Sequence, residues 1–343
     1  MRYKLLGRSG LRVSELALGA MTFGEDWGFG SALDECKRMV DVFRDRGGNF
    51  IDTAINYTNG SSEAMVGELT AGDRDRWVLA TKYTLSTRPD DPNASGNHRK
   101  NLVQSVEKSL RRLRSDRIDL LWVHAWDEIT PPEEVMRALD DVVRAGKVLY
   151  LGVSDTPAWV IAQENTLAEL RGWSRFVGLQ LEYSLIERTP ERDLLPMARA
   201  LDMGVTAWGS LGGGVLSGKY NGGKAEDSRR ADFNRGRLGE RTDAIVAEVT
   251  AIAHELSRSP AQVALAWLRA QPGVIMPILG ARKLSQLEDN LGVLDTTLAP
   301  EQLEHLDKVS AIRMGFPHEM LREPFVRSLI YGNSFESLDS HRK

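Results

Sequence analysis

The segment Gly48-Gly-Asn-Phe-Ile-Asp52-Thr-Ala-Ile-Asn-Tyr57 has the pattern of a short buried strand that ends in polar residues. Seven other apolar runs of similar length occur along the chain, and each is followed by a longer amphipathic stretch. This alternation is typical of βα units on a parallel sheet. The eight predicted strands begin near Glu15, Asn49, Trp77, Ile118, Val148, Phe176, Gly204 and Val274. Eight such units favour an α/β fold with a closed (β/α)8 TIM barrel over an open doubly wound sheet.

A small element precedes the eight units. Residues Tyr3 to Leu5 and Leu11 to Val13 flank a glycine-containing turn, which predicts an N-terminal β-hairpin that plugs the amino-terminal end of the barrel. After the eighth unit the chain continues into a tail from about residue 314 to 343. We expect a single domain over residues 1–343, and the tail is a candidate interface for a homo-oligomer.

A long insert separates the seventh and eighth predicted strands. It begins with Gly212-Gly-Gly214 and continues through a polar run from Asn221 to Arg241, with little apolar material before Ile245. A loop of that length in a compact domain is usually functional or disordered. The helical patterns of the other units include Asp34 to Arg46, Arg99 to Leu113, Pro132 to Ala145 and Pro190 to Leu201.

Composition excludes several classes of function. The 343-residue chain has a net charge of −4, which gives no electrostatic reason to expect nucleic acid or an anionic membrane as a partner. It has one cysteine, Cys36, so an internal disulfide is impossible, and its six histidines show no metal-ligand spacing. The sequence has no secretory leader pattern and no apolar stretch of about 18 residues. We therefore expect a cytoplasmic protein with no metal site.

Four polar residues follow three neighbouring predicted strands: Asp52, Tyr57, Lys82 and His124. Parallel strands in a closed sheet bring their carboxyl ends to one rim, where barrel enzymes carry their chemistry. Lysines are seldom buried without a partner, and Asp52 on the preceding strand is a natural partner for Lys82. A nearby ammonium favours the phenolate, so we expect Lys82 to lower the pKa of Tyr57 from its usual value near 10.

Each of these residues also has an ordinary structural interpretation. Lys82 would then be a strand-end lysine that extends its ammonium to water, Tyr57 a packing residue and His124 a satisfied core histidine. Together, however, Tyr57 and His124 are suited to hold and polarise a carbonyl group. No side chain donates hydride, so reduction of that carbonyl requires a reduced cofactor.

The sequence does not support a Rossmann site for such a cofactor. No G-x-G-x-x-G follows the first strand, and Gly212-Gly-Gly214-Val-Leu-Ser-Gly218 has the wrong spacing. A phosphate-binding site is instead expected around the seventh and eighth strands, where barrels usually have one.

The run Asp52-Thr-Ala-Ile-Asn-Tyr57, together with Lys82 and His124, resembles the catalytic tetrad of the aldo-keto reductases. The resemblance extends from Leu18-Gly-Ala-Met21 to about Val309. It implies reversible, NADPH-dependent reduction of an aldehyde or ketone to an alcohol, with a proton from Tyr57. The partner would be a small-molecule carbonyl substrate.

The resemblance also assigns residues to NADP(H). Leu151-Gly-Val-Ser-Asp155 resembles the family's G-V-S-N segment, Gln180 matches its nicotinamide-binding glutamine, and Trp208 matches the aromatic residue that stacks on nicotinamide. Gly280-Ala-Arg282 is similar to the pocket for the adenosine 2′-phosphate. The complete set implied for the cofactor is Met21, Asp52, Ser154, Asp155, Gln180, Trp208, Ser210, Leu211, Gly213, Lys219, Gly280, Arg282, Gln286, Asp289 and Asn290.

The chain departs from the family pattern at a few positions. Asp155 replaces the usual asparagine, which removes an amide donor and adds a charge near the carboxamide. Trp208 is tyrosine in many members and tryptophan in the branch that includes the potassium-channel β subunits. That branch raises an alternative, an NADPH-binding regulatory protein with little turnover. Because those subunits lack histidine at the His124 position, His124 favours catalysis. A third hypothesis is a lyase that forms a Schiff base through Lys82. The Gly280-Ala-Arg282 pocket, which resembles a nucleotide site, argues against it.

Aromatic residues are expected at the mouth of the barrel. Trp27 and Phe29 follow the first strand, and Trp126 follows His124. They are candidates for an apolar substrate wall, since such walls dominate small-molecule sites. Ordinary packing is the alternative for each.

Overall fold

The structure is a computed structural model of the chain, and it describes residues 1–218 and 235–339. Within these residues the chain divides into two compact units, one covering Met1–Ser310 and one that starts at Ala311.

The chain begins with the predicted hairpin. Strands β1 (Tyr3–Leu5) and β2 (Arg12–Ser14) pair in antiparallel register. Leu6 and Val13 are fully buried and pack in one apolar cluster with residues of the barrel strands. The hairpin therefore closes the amino-terminal end of the barrel, as expected from the sequence.

Eight parallel strands then close into a barrel, which confirms the predicted TIM-barrel fold. Neighbouring strands follow chain order, and the last strand pairs with the first. Each predicted start lies within two residues of the observed one. The strands are β3 (Ala17–Gly19), β4 (Phe50–Asp52), β5 (Val78–Tyr83), β6 (Ile118–Val123), β7 (Val148–Ser154), β8 (Phe176–Glu182), β9 (Gly204–Trp208) and β10 (Ile275–Gly280).

Helices surround the barrel and bury their apolar faces against it. In the first unit they are α1 (Leu33–Asp45), α2 (Ser61–Thr70), α3 (Arg99–Arg112), α4 (Pro132–Arg144), α5 (Ala158–Arg171), α6 (Leu194–Ala200), α7 (Glu240–Glu255), α8 (Pro260–Ala270), α9 (Leu284–Leu291) and α10 (Pro300–Val309). The second unit contains α11 (His318–Arg322) and α12 (Pro324–Tyr331).

Short 3-10 turns connect several of these elements. They span Tyr57–Gly60, Ala71–Arg76, Thr189–Glu191, Gly212–Ser217, Arg235–Arg237, Gly292–Asp295 and Phe335–Ser337. One helix differs from its prediction. The pattern from Pro190 to Leu201 is divided, because Asp193 leaves helical geometry at φ −133° and separates the turn Thr189–Glu191 from α6.

Within residues 1–218 and 235–339, no helix is long and apolar enough to cross a membrane.

Trp122 on β6 fills the interior of the barrel and is fully buried. Its indole lies against two glycines on the next strands: a Cβ atom at Gly152 would stand 2.2 Å from Cε3 of Trp122, and one at Gly178 would stand 2.9 Å from Cη2. The large ring of Trp122 therefore requires residues without a side chain at these positions on β7 and β8.

We expect the substitution Gly152→Ala to destabilise the protein by about 1–3 kcal/mol, the usual cost of overpacking a dense core. The free energy of unfolding, measured by urea titration, tests this. Gly72→Ala is the matched control, because a Cβ at Gly72 meets no atom within 4 Å. It should change stability by less than about 0.5 kcal/mol. Equal stabilities for the two variants would contradict the proposed packing.

Candidate active site

Four polar side chains meet at the carboxyl end of the barrel. Asp52 is the last residue of β4, Lys82 lies one residue before the end of β5, and His124 directly follows β6. Tyr57 begins the 3-10 turn that follows β4. The fold thus brings together all four residues that the sequence singled out.

Lys82 is the centre of this group. Its Nζ donates to the Asp52 carboxylate, to the carbonyl oxygen of Thr53 at 2.8 Å and to the Tyr57 hydroxyl at 3.2 Å. The lysine is fully buried, and Asp52 is 3% exposed. Burial alone lowers the pKa of Lys82, but the Asp52 carboxylate and the Tyr57 oxygen raise it above its usual 10.5. Lys82 is therefore an ammonium at neutral pH.

Tyr57 lies partly buried beside this ammonium, and the Lys82 Nζ lies 4.7 Å from the centre of its ring. The sequence predicted that the cation lowers the pKa of Tyr57, and this prediction is wrong for the net shift. Burial raises the pKa of the phenol above 10, and the effect outweighs the opposing attraction of Lys82. Tyr57 therefore holds its proton at neutral pH.

His124 completes the group as a neutral imidazole. Burial, and then the positive charge of Lys82, hold the pKa of His124 well below 6.5. Its ring lies nearly perpendicular to that of Tyr57, with 5.8 Å between the ring centres. Its Nδ1 is buried without a hydrogen-bond partner among the described residues. Buried polar atoms without a partner are uncommon in proteins.

Gln180 on β8 contacts the same group, which the sequence did not indicate. Its Nε2 donates to the second carboxylate oxygen of Asp52 at 2.9 Å. Asp52 is thus held by Lys82 on one oxygen and by Gln180 on the other. No sequence signal connects two residues so far apart in the chain, although both lie at strand ends of the barrel.

One cavity of about 630 Å³ extends from Tyr57 and His124 to Arg282 and Asn290. Every residue that the resemblance assigns to the cofactor lines it, except Lys219, which lies outside the described residues. The cavity also includes residues that sequence reasoning did not select. Thr22 and Asn56 follow strand ends and could have been found by position; the apolar Leu85, Leu265 and Ile278 carried no such signal.

Two strand ends in the middle of the rim are joined by a side-chain contact. Asp155 follows β7 and Trp208 ends β9, with Gln180 on the intervening strand. Trp208 Nε1 donates to Asp155 Oδ1 at 3.1 Å. Asp155 has a φ of +41°, in the left-handed region that aspartate and asparagine tolerate better than most residues. Desolvation by the surrounding protein raises the pKa of Asp155, while the hydrogen bond from Trp208 and the positive charge of Lys82 oppose this rise.

Arg282 lies at the far end of the cavity, just past β10. Its backbone N–H donates to Gln286 Oε1 at 2.9 Å, so Gln286 fixes the turn that presents the guanidinium. Asp289 accepts from Ser259 and Gln262, each at 3.0 Å.

The insert after β9 contributes further lining. Leu211 and Gly213 lie at its start, where Ser210 Oγ donates to the Ala207 carbonyl oxygen at 2.8 Å. Arg237 lies beyond residues 219–234 and forms an ion pair with Glu182 at the end of β8. Gly213 has a φ of +67°, a backbone conformation that glycine adopts without strain.

The three aromatic residues predicted at the mouth have different positions. Trp27 lines the cavity and meets Tyr57 edge-on, with 6.3 Å between ring centres. Phe29 packs against Trp27 at 5.8 Å. Trp126 pairs with Trp159, also at 5.8 Å, and neither tryptophan lines the cavity.

The cavity fits a nicotinamide dinucleotide. At one end it is lined by Trp208, Gln180 and His124, which supply an aromatic face, an amide and an imidazole. At the other it offers the guanidinium of Arg282, which is suited to a phosphate. The volume lies within the range usual for small-molecule sites.

Comparisons with known proteins agree with this geometry. Residues 15–311 match the model of the aldo/keto reductase family. The chain is 38% identical to norsolorinic acid reductase from Aspergillus flavus, over 93% of this chain and 83% of that protein. It is 37% identical to aldo-keto reductase ausK from Aspergillus calidoustus, over 93% and 85%. It is also 37% identical to an NADP+ aryl-alcohol dehydrogenase from Phanerodontia chrysosporium, over 90% and 86%.

The barrel, the buried Asp52–Lys82 pair beside Tyr57 and the match over nearly all of the sequence lead to one conclusion. The chain belongs to the aldo/keto reductase family and is an oxidoreductase of the kind that uses a nicotinamide nucleotide.

Proposed function

We propose that the protein reduces an aldehyde or ketone to an alcohol with NADPH, in a reversible reaction. The observation that carries this proposal is the contact of the buried Lys82 ammonium with both the Asp52 carboxylate and the Tyr57 hydroxyl. Bound NADPH would supply the hydride. The protein's own part is to bind the carbonyl group, orient it and deliver a proton.

Tyr57 is the proton donor in this proposal. An alkoxide is a far stronger base than a phenolate, so a phenol whose pKa lies above 10 still protonates it. The phenolate that remains lies beside Lys82 Nζ, which stabilises its charge. Asp52 keeps Lys82 charged and in place. The neutral His124 orients the carbonyl oxygen without competing for the proton.

Residues around the cavity would hold the cofactor. Trp208 provides a stacking surface for the nicotinamide ring. Ser154 and Gln180 line the same end of the cavity and would bind the carboxamide of that ring. The glycine turn that begins at Gly212 lets backbone approach the pyrophosphate. Arg282 binds the adenosine 2′-phosphate, which favours NADPH over NADH.

Aromatic carbonyl compounds are the proposed substrates. Trp27 forms an apolar wall directly against Tyr57, and Leu85 adds to it. The name of the relative from Phanerodontia chrysosporium says that it acts on aryl alcohols. Oxidation of NADPH with a panel of aryl and linear aliphatic aldehydes tests the proposal. Tight NADPH binding with no turnover of any carbonyl would favour a regulatory protein instead.

Substitution Tyr57→Phe should reduce kcat about 10²–10⁴-fold, the usual contribution of a general acid. The Kd of NADPH should change little, because the ring and its packing are retained. Tyr150→Phe on β7 is a matched control, since Tyr150 does not line the cavity. Steady-state kinetics and nucleotide titration measure the two effects. Parental turnover in the Tyr57 variant would remove Tyr57 from the mechanism.

Substitution Arg282→Ala should raise the Kd of NADPH about 10–100-fold, corresponding to one charge-assisted hydrogen-bonded contact with a phosphate. The Kd of NADH, which lacks the 2′-phosphate, should change by much less. Nucleotide fluorescence titration gives both constants. Arg137→Ala on α4 serves as the control for loss of an arginine outside the cavity. An equal change for NADH and NADPH would show that Arg282 does not recognise the 2′-phosphate.

A further inference from the structure

Asp155 and Trp208, two positions where the chain departs from the family pattern, form one contact. The Trp208 indole N–H donates to the Asp155 carboxylate at 3.1 Å. A tyrosine at position 208 has no N–H to make this bond, and an asparagine at position 155 has no charge. The two residues therefore place a carboxylate beside the surface proposed for the nicotinamide ring.

We propose that the Asp155 carboxylate makes this enzyme favour the oxidised nucleotide, by stabilising the positive charge of the oxidised nicotinamide ring. The inference rests on the proposed function, because it assigns the ring to the end of the cavity that contains Ser154, Gln180 and Trp208. The reduced ring is neutral, so a carboxylate distinguishes the two redox states and an amide does not.

Asp155 is accessible to a ligand in this position. Its side chain is exposed, and the surface that it exposes lines the cavity. It also acts on the catalytic group: its negative charge adds to the rise in the pKa of Tyr57, and the positive charge of Lys82 opposes the rise in pKa that desolvation causes at Asp155. The 3.1 Å hydrogen bond to Trp208 holds the carboxylate at the edge of the surface proposed for the ring.

The other charges at this end of the cavity are balanced or absent. Lys82 is paired with Asp52, and Glu182 is paired with Arg237. The low pKa of His124 leaves it neutral. Among the described residues that line this end, Asp155 thus supplies the net negative charge. Coulomb attraction to a cationic ring is strengthened where the surrounding protein replaces water.

This charge also affects the reaction. Asp155 would place its negative charge beside a bound nicotinamide ring, where it would stabilise the positive charge of the oxidised form more than the neutral reduced form. Reduction of the carbonyl is then favoured on the enzyme, while the oxidised nucleotide is held more tightly and released more slowly.

The test is the Kd of NADP+ and of NADPH, measured by isothermal titration calorimetry for the full-length protein and the variant Asp155→Asn. A pH of about 8, well above the usual carboxyl range, keeps the carboxylate ionised. Asparagine keeps the shape and tolerates the left-handed backbone. We expect the Kd of NADP+ to rise about tenfold relative to that of NADPH, the change expected for a difference of about 1.4 kcal/mol.

Asp289→Asn is the matched control, because it removes an identical charge from the opposite end of the same cavity. It should change both Kd values by the same factor. Asp155→Gly gives a second test if the asparagine variant does not fold, since glycine adopts the backbone conformation of residue 155 without strain. Circular dichroism verifies the fold of each variant.

The outcomes are distinguishable. A selective rise in the Kd of NADP+ for the Asp155 variants alone supports the inference. Equal changes in both Kd values, or none, overturn it and leave the proposed function standing. If the parent protein binds neither nucleotide, the proposed function and the inference fail together.

Discussion

The buried ion pair of Lys82 and Asp52 constrains the rest of the site. Removing one partner of a buried pair typically costs about 3–5 kcal/mol, because the other charge is left without compensation. Here the lysine is fully buried and the aspartate nearly so. Asp52 is fixed on its second oxygen by Gln180, so three strands define the position of the ammonium. Tyr57 receives the third contact of that ammonium and is located by it.

The barrel supplies the rigidity that this arrangement needs. Its amino-terminal end is closed by the hairpin, through apolar contacts of Leu6 and Val13, and its interior is filled by Trp122 against Gly152 and Gly178. A densely packed interior keeps the strand ends in fixed positions, because it leaves few voids into which the strands could shift. The two ends of the barrel thus differ in kind: apolar packing at one and charged groups at the other.

The sequence predicted the strands and the four catalytic candidates because both depend on local pattern. An apolar run indicates a strand, and a polar residue at its end indicates a side chain at the carboxyl end of the barrel. It misjudged features that depend on three-dimensional surroundings. The net pKa shift of Tyr57 depends on how far the surrounding protein removes water from the phenol, and no pattern of neighbours along the chain reports this. The Gln180–Asp52 bond joins residues on strands far apart in sequence. The break at Asp193 depends on one backbone angle within an otherwise helical pattern.

The two ends of the cavity have charges of opposite sign. Arg282 places positive charge where the proposed function puts the adenosine phosphate, and Asp155 places negative charge where it puts the nicotinamide ring. Lys82 cannot supply attraction for an anionic ligand group in the same way, because Asp52 neutralises it and it does not line the cavity. Its charge acts instead on the neighbouring side chains of Tyr57, His124 and Asp155. In the proposed function, two electrostatic tasks would thus fall to different residues. Lys82 would stabilise the phenolate that Tyr57 leaves when it gives up its proton. Arg282 and Asp155 would contact the nucleotide, and Asp155 would distinguish its two redox states.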